Sequence, residues 1–213
     1  MDIILFGIQG SGKGTQGKLL AERYHLHVFD MGSQLRSIIE SGTELGNKIK
    51  TIVEGGHLVD DDTVVEIAES FLRGISPDQS VLFDGIPRTQ TQSEKLEALL
   101  KKYQRDVFAL LIELSQETAI KRLTERRICP TCKAIYPGFY KQDVCADDQT
   151  PLVIRQDDSD LESVKQRLSH YENETKPVIQ HFYDIDRLIK VDGEQIIPDV
   201  TEEMIEKAAY LFT

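Results

Sequence analysis

The sequence lacks any long apolar run and has few basic residues. No run approaches the roughly 20 apolar residues of a membrane-spanning helix, and Met1 and Asp2 lead directly into an apolar strand with no basic region before it. The acidic residues number 36 against 25 lysines and arginines, for a net charge of -11. Because non-specific nucleic-acid binding needs a basic surface, this balance argues against a nucleic-acid groove. We expect neither a membrane nor a nucleic acid as a partner.

Cysteine is also scarce, and its three copies all lie in one short segment. Cys129 and Cys132 flank two residues, and Cys145 is followed at the same spacing by Asp148. Three thiolates and one carboxylate in this pattern predict a tetrahedral, structural zinc site. A closed four-ligand site leaves no position for a substrate, so we expect the metal to hold a small subdomain together.

Two alternatives to this ligand set remain open. Asp143 and Asp147 are rival carboxylates for the fourth position, and the thiols could instead be unrelated buried cysteines. The segment from 128 to 158 has few large apolar residues, so it cannot bury enough surface to fold without help. Reduced thiols at zinc spacing, with no export signal, indicate a cytoplasmic protein.

The first apolar run is followed by a glycine-rich turn. Residues 2–6 predict a strand, the segment GIQGSGKGT follows from Gly7 to Thr15, and a helical pattern begins after it. A GxxxxGK sequence between a strand and a helix predicts a phosphate-binding loop, in which Lys13 meets the β- and γ-phosphates and Thr15 lies near magnesium. The strict pattern has Ser or Thr directly after the lysine, whereas here Gly14 intervenes. An ordinary strand-to-helix turn is the alternative. The loop residues expected to bind ATP are Gly10, Ser11, Gly12, Lys13, Gly14 and Thr15.

Short apolar strands alternate with helical patterns along most of the chain. With 40% apolar and 29% charged residues, the composition is that of an ordinary globular protein. The alternation predicts an α/β fold, in which a parallel five-stranded sheet is flanked by helices and ligands bind beyond the carboxyl ends of the strands. The predicted strands are 3–6, 27–29, 81–83, 107–114 and 188–191. Residues 31–74 show several helical patterns and no strand.

A second strand ends in a carboxylate and a turn. Asp84 closes the run from Val81, where it is placed to orient magnesium as a Walker B carboxylate does, and Arg88 follows after a tight turn. More arginines lie on both sides of the cysteine segment, which suggests a hinged flap that lays positive charge over polyphosphate. These arginines are Arg122, Arg126, Arg127, Arg155 and Arg167.

Five motifs in this order resemble those of the adenylate kinase family. They read GxxGxGKGTQ at 7–16, DGxPRTxxQ at 84–92, RRxCxxC at 126–132, RxDD at 155–158, and RLxxY with a later TxP at 167–177. The resemblance covers the chain from end to end. It implies a P-loop NTPase core at 1–30, 61–127 and 159–213, a helical nucleoside monophosphate (NMP) binding insert at 31–60 and a zinc-stapled lid at 128–158.

The resemblance also implies an activity and its residues. The reaction is reversible transfer of the terminal phosphoryl group from MgATP to AMP, giving two ADP, by a monomer that uses Mg²⁺ and a structural Zn²⁺. The catalytic cations are Lys13, Arg88, Arg126, Arg155 and Arg167. ATP also contacts Arg122 and Arg126, and Thr15 and Asp84 serve magnesium indirectly. The AMP side comprises Met31, Arg36, Gly85, Arg88, Gln92, Arg155 and Arg167, with Gln92 on the adenine edge, and Asp157 and Asp158 pair with arginines on lid closure.

Four departures from the family pattern leave alternatives. Gln9 stands where the loop usually has Pro, Met31 where Thr is usual, and Ser33 where an acidic residue is usual. One extra residue separates Asp158 from Arg167, which Ser159 or Asp160 is expected to absorb as a helix N-cap. A kinase with a different acceptor, CMP or UMP, and a catalytically weak adenylate-binding sensor are therefore the alternative functions.

Overall fold

Five strands form one parallel sheet, in the order β2-β3-β1-β4-β8. The computed structural model describes residues 1–155, 158 and 160–212, with the backbone alone at residue 161. The predicted five-stranded α/β architecture is confirmed, and each strand lies within two residues of its expected bounds. The strands are β1 (Asp2–Gly7), β2 (His27–Asp30), β3 (Val81–Asp84), β4 (Val107–Glu113) and β8 (Leu188–Asp192).

Helices cover both faces of this sheet. All six residues of β1 are buried, as expected for a strand inside a parallel sheet. Because side chains alternate along a strand, Ile3 and Leu5 pack into one cluster with α1 and α9, whereas Ile4 and Phe6 pack into a second cluster with helices of the opposite face. The helices are α1 (Lys13–Tyr24), α2 (Met31–Glu40), α3 (Glu44–Glu54), α4 (Asp61–Arg73), α5 (Gln90–Lys102), α6 (Gln116–Thr124), α7 (Leu161–His170), α8 (Lys176–Asp184) and α9 (Ile197–Ala208).

A buried ion pair fixes the amino-terminal end of the sheet. Asp2 accepts from Nε of Arg105 at 2.7 Å, from its Nη2 at 2.9 Å and from the backbone N–H of Val81 at 2.9 Å. The two charged side chains are only 2% and 6% exposed. Since the carboxylate is fully hydrogen-bonded, its burial is compensated and it ties β1 to β3. Sequence analysis did not identify this pair.

The helical segment after β2 is as expected from the sequence. Asp30 caps α2 by accepting from the N–H of Gly32, and Thr43 caps α3 by accepting from the N–H of Gly46. Asp60 caps α4 in the same way, accepting from the N–H of Thr63 at 3.0 Å. No helix among the described residues combines the length and the apolar character needed to cross a membrane.

The cysteine segment forms a second, small antiparallel sheet. Its strands, in the order β6-β5-β7, are only two residues long each: β5 (Arg127–Ile128), β6 (Ile135–Tyr136) and β7 (Val153–Ile154). The buried side chains of this sheet's cluster are Cys129, Tyr136 and Cys145. So small a core agrees with the expectation that the segment needs a metal to hold it together.

The extra residue before Arg167 does not disturb the helix that carries it. Asp160 caps α7 by accepting from the N–H groups of Glu162 and Ser163, as one of the two sequence alternatives proposed. Ser159, the other alternative, lies outside the described residues. After α7 the chain passes through a π-helical turn (Tyr171–Thr175) into α8.

Candidate active site

The phosphate-binding loop begins where β1 ends and leads directly into α1. Gly12 caps the helix with a φ of 93°, a left-handed conformation that glycine adopts without steric cost. The backbone N–H groups of Thr15 and Gln16 both bond to the carbonyl of Gly12 at 3.0 Å. The N-terminus of α1, with its favourable potential for anions, therefore opens at the carboxyl end of the central strand.

Lys13 stands at the centre of this loop. Its ammonium donates to the carbonyl of Gly7 at 2.5 Å and to that of Ile8 at 3.2 Å. The pKa of Lys13 is lowered to about 8, mainly by desolvation in the surrounding protein; Asp84 opposes this shift, while Arg88 and Arg126 contribute to it. The site thus disfavours the charged form of Lys13, whose hydrogen bonds go to neutral carbonyl groups.

Asp84 and Arg88 lie beside the loop because β3 is the neighbour of β1. The register pairs Leu5 with Asp84, which brings the ends of the two strands together. Desolvation raises the pKa of Asp84, and Lys13 acts against that rise. Arg88 donates from Nε to the carbonyl of Gly85 at 3.0 Å, and desolvation lowers its pKa, against the influence of Asp84.

A buried carboxylate gathers two further arginines. Asp158 has a fully buried side chain and accepts from Nε of Arg126 at 2.7 Å and from Nη2 of Arg167 at 2.7 Å. The positive charges of Arg155 and Arg167 act on Arg88. The five cations predicted to be catalytic therefore form one electrostatic cluster around the phosphate loop. Asp157, the other predicted carboxylate, lies outside the described residues.

The wall beside α6 and α9 is held by side-chain bonds to the backbone. Arg122 donates from Nη2 to the carbonyl of Gly193 at 3.0 Å. Gln16, in the first turn of α1, donates to the carbonyl of Ile197 at 2.9 Å and accepts from the hydroxyl of Thr201 at 2.8 Å. These bonds fix the loop before α9 against the phosphate-binding helix.

The opposite wall is formed by α2 and by the start of α5. Arg36 donates from Nη2 to Ser33 at 2.8 Å and to Asp30 at 3.3 Å. Met31 is 2% exposed, and its Cβ lies 3.3 Å from the position that a Cβ on Gly85 would take. Met31 thus packs as a core residue at the edge of the site.

Gln92 is anchored from both ends of its amide. Its Oε1 accepts from the backbone N–H of Arg88 at 2.7 Å, and its Nε2 donates to Asp61 at 2.9 Å. Asp61 also accepts from the hydroxyl of Thr89 at 3.0 Å. Sequence analysis did not identify Asp61, because an acidic residue in the first turn is common to many helices and indicates no particular partner.

All the predicted nucleotide-site residues line a single cleft of about 1540 Å³. They are Gly10, Ser11, Gly12, Lys13, Gly14, Thr15, Met31, Arg36, Asp84, Gly85, Arg88, Gln92, Arg122, Arg126, Arg155 and Arg167. The residues come from distant parts of the sequence, and the carboxyl edge of the sheet brings them together.

The predicted metal ligands form a separate cluster. The ligand atoms of Cys129, Cys132, Cys145 and Asp148 all lie within 4.8 Å of one another. The sulfurs of Cys132 and Cys145 are 3.5 Å apart, and Cys129 lies 3.4 Å from Asp148. Zinc with Zn–S bonds of about 2.3 Å places tetrahedral ligands about 3.8 Å apart, so the cluster fits that metal.

Neighbouring groups orient two of these ligands. The N–H of Thr150 donates to Asp148 at 2.9 Å, and this bond is the main cause that lowers the pKa of Asp148 to about 2. The hydroxyl of Tyr136 donates to the sulfur of Cys145 at 3.1 Å. Of the rival carboxylates, Asp143 instead pairs with Arg127 at 2.7 Å, and Asp147 does not belong to the cluster.

Comparisons with known proteins agree with this geometry. The family model described as Adenylate kinase matches residues 5–187. The chain belongs to the adenylate kinase family. Adenylate kinases of Kosmotoga olearia and Chloroherpeton thalassium are each 37% identical to it, over 97% of the chain and 98% and 97% of their own lengths. That of Petrotoga mobilis is 35% identical over 96% of the chain and 95% of its own length.

Membership of the adenylate kinase family defines the class of chemistry. The chain is a nucleotide-binding phosphotransferase of the nucleoside monophosphate kinase type. Three of the departures from the family pattern lie in the wall formed by α2 and in the phosphate loop: Met31 is buried, Ser33 bridges Asp30 and Arg36, and Gln9 lines the cleft.

Proposed function

We propose that this chain catalyses the reversible conversion of MgATP and AMP into two ADP. The observation that carries the proposal is one cleft that contains the phosphate loop and the arginine cluster. One wall of the cleft lies beside α6 and α9, and the opposite wall is formed by α2 and the start of α5. Its volume of about 1540 Å³ exceeds the roughly 300–1,000 Å³ usual for a single ligand. The cleft therefore has room for two nucleotides that meet at their phosphates.

The reaction needs little covalent chemistry from the protein. An oxygen of the AMP phosphate attacks the terminal phosphorus of ATP, the bond from that phosphorus to the bridging oxygen breaks, and ADP forms on both sides. The attacking oxygen is already anionic, so no general base is required. The cluster of Lys13, Arg88, Arg126, Arg155 and Arg167 holds the phosphates in line and stabilises the charge of the transition state.

Magnesium fits the oxygen donors at the end of β3 and the start of α1. Asp84 is a desolvated carboxylate next to the phosphate loop, and Thr15 offers a hydroxyl in the first turn of α1. Hard oxygen donors of this kind suit Mg²⁺, which is held by few protein groups together with phosphates and waters. When bound, the ion would neutralise phosphate charge and orient the terminal phosphoryl group.

In this proposal AMP binds along the wall formed by α2 and the start of α5. Arg36 and Arg88 take its phosphate, and Gln92 takes the edge of the adenine. The carboxamide of Gln92 already uses one donor and one acceptor within the protein. Since an amide oxygen has two lone pairs and an amide nitrogen two hydrogens, one acceptor and one donor remain for adenine. Gly85 and Met31 line the same cleft.

ATP occupies the other wall, where its base lies near Arg122. In this proposal residues 31–60 are the NMP-binding insert and residues 128–158 the lid, as the resemblance implies. The Cys129, Cys132, Cys145 and Asp148 cluster holds one structural zinc ion, since the set is closed and none of its members lines the cleft. We also infer that the protein is a monomer. Its free thiols are in keeping with a cytoplasmic location.

An acceptor panel tests the assignment. Purified protein is assayed with MgATP and each of AMP, CMP, UMP and GMP in a coupled assay that detects ADP. The expected result is that kcat/KM is highest for AMP and that Gln92→Ala reduces the preference for AMP over CMP. CMP or UMP outcompeting AMP would replace the adenylate assignment, and nucleotide binding without turnover would instead favour the sensor alternative.

A further inference from the structure

Gln9 lies at a position in the phosphate loop where a glutamine does nothing to fix the backbone conformation. The N–H of Ser11 bonds to the carbonyl of Ile8 at 3.0 Å, so Gln9 and Gly10 are the central residues of a tight turn. Gly10 has a φ of 88°, as the third residue of a type II turn requires, and Pro is the favoured residue just before it. A glutamine there leaves φ unrestrained. Any role that is specific to a glutamine at this position therefore belongs to its side chain.

That side chain has an unsatisfied polar atom. Oε1 of Gln9 is buried and accepts no hydrogen bond from the described residues. A buried acceptor without a partner is costly, and native proteins rarely keep one without a functional reason. Oε1 therefore needs a hydrogen-bond donor, and a carboxamide can accept from a cation through its oxygen while its nitrogen donates to an anion.

The position of Gln9 indicates which groups lie near its carboxamide. Gln9 lines the main cleft together with Lys13 and Arg88, and the same three residues also line a second, small cavity of about 50 Å³. A phosphoryl group bound by the ammonium of Lys13 and the guanidinium of Arg88 would lie next to the carboxamide. A neutral amide can donate to such a group without adding charge.

We propose that Gln9 is a further ligand of the phosphoryl group in transfer, with Nε2 donating to a phosphoryl oxygen and Oε1 turned toward the cations of Lys13 and Arg88. The inference rests on the proposed function. It adds to the cationic cluster one neutral donor at the tip of the loop. Since the donor aims at the group in transfer, its contribution is greatest in the transition state.

The substitution Gln9→Met tests this role because it keeps the length of the side chain and removes both polar atoms. We expect kcat to fall about tenfold, as for the loss of one hydrogen bond to a charged group, with KM for ATP and AMP changed less than twofold. The Tm of the ligand-free variant should be equal to or above that of the wild type, because the unsatisfied oxygen is gone. The rise in Tm on adding ADP should be smaller than in the wild type.

Two further variants complete the experiment. Gln9→Glu places negative charge beside the phosphates, and we expect a larger fall in kcat than for Gln9→Met. Ser163→Ala is the matched control, because its buried hydroxyl also lacks a partner among the described residues but adjoins Gly56. It should leave kcat and the ADP-induced rise in Tm unchanged.

The possible results separate this inference from the proposed function. A kcat for Gln9→Met within twofold of the wild type, or a loss confined to KM, overturns the transition-state contact. An unchanged ADP-induced rise in Tm likewise contradicts any contact with phosphate. Failure of the wild type to phosphorylate any nucleoside monophosphate would overturn the proposed function, whereas the variant's response to ADP still reports whether Gln9 contacts phosphate.

Discussion

The surroundings of Lys13 disfavour its positive charge because they desolvate it. Desolvation lowers its pKa to about 8, against an ordinary value of about 10.4. Because the folded pKa is lowered, the unfolded chain holds a proton that the native site has lost between these two values. The contribution of Lys13 to the free energy of unfolding therefore rises as pH increases through that window. Nucleotide binding has the opposite requirement, since the phosphates need the ammonium.

The first prediction concerns how nucleotide binding depends on pH, since the phosphates need the ammonium form that the site disfavours. The Kd for a non-hydrolysable MgATP analogue should rise as pH increases above about 8, approaching tenfold per pH unit, because binding must return a proton to Lys13. Lys13→Met should bind weakly with little pH dependence in the same range. Lys18→Met, on an exposed position of the same helix, is the control and should keep the wild-type profile. The measurement is calorimetric titration from pH 7 to 9.5, and a flat wild-type profile would contradict the prediction.

Single residues were predictable from sequence where a motif placed them next to a strand end. Lys13 follows β1, Asp84 ends β3 and Arg88 follows it, so neighbouring strands must bring the three together. The resemblance gave arginines as the partners of Asp158, but neither the strand pattern nor a motif fixed those contacts or the partners of Gln92. Arg126 meets Asp158 across 32 residues of sequence by side-chain packing, and the amide of Gln92 meets Asp61 across a helix interface.

At the scale of elements, the parallel-sheet core and the cysteine segment differ in how strongly the sequence determines their secondary structure. The strands of the parallel sheet are apolar runs of four to seven residues, so their existence and bounds could be predicted. The strands β5, β6 and β7 have two residues each, which is too short for any periodicity. Only the ligand spacing of the cysteine segment indicated a folded unit there, because its apolar cluster has, among the described residues, no more than three buried side chains, Cys129, Tyr136 and Cys145.

The second prediction tests that metal. Protein purified without chelator should contain about one zinc ion per chain, and Cys145→Ser or Asp148→Ala should lower the zinc content substantially. Asp143→Ala is the matched control, because Asp143 pairs with Arg127 at the surface of the cysteine segment, and it should retain zinc. Metal analysis by mass spectrometry gives the zinc content.

Limited proteolysis shows the effect of zinc loss on structure. Loss of zinc should expose cleavage sites between residues 128 and 158 while the parallel-sheet core stays folded, since the two have separate hydrophobic clusters. Wild-type protein without stoichiometric zinc would refute the assignment. Zinc loss in Asp143→Ala with retention in Asp148→Ala would instead reassign the fourth ligand.

Across the whole molecule, charge is distributed so that an acidic chain can bind polyphosphate. The net charge is -11, yet the cleft is lined by more basic than acidic side chains. The basic ones are Lys13, Arg36, Lys50, Arg88, Lys121, Arg122, Arg126, Lys133, Arg155 and Arg167, and the acidic ones are Asp30, Glu40, Glu54, Asp84, Glu125 and Glu194. The positive field is therefore local to the site, which favours anionic substrates there and repels nucleic acid elsewhere.

The cysteine segment and the helical segment after β2 meet across the mouth of this cleft. Lys133, next to Cys132, lies 3.5 Å from Glu40 at the end of α2, with the two side chains 58% and 63% exposed. Exposed pairs of this kind contribute about 0–1 kcal/mol. In the proposed function, where the cysteine segment closes over the substrates, we therefore expect this ion pair to adjust the balance between open and closed forms rather than to fix the closed one.

The third prediction follows from that weak contact. Lys133→Glu places two like charges together, so closure should become less favourable and KM for both nucleotides should rise about two- to fivefold, within the range for exposed charge pairs. The double variant Lys133→Glu with Glu40→Lys should recover most of the loss, because the opposite charges are restored in reverse order. Both effects should shrink in 0.5 M salt, where exposed charges are screened.

Lys165→Glu, in an exposed pair with Glu162 within α7, is the control and should leave KM unchanged. Steady-state kinetics at low and high salt measure these effects. If the double variant were no better than Lys133→Glu alone, Lys133 would act through phosphate rather than through Glu40.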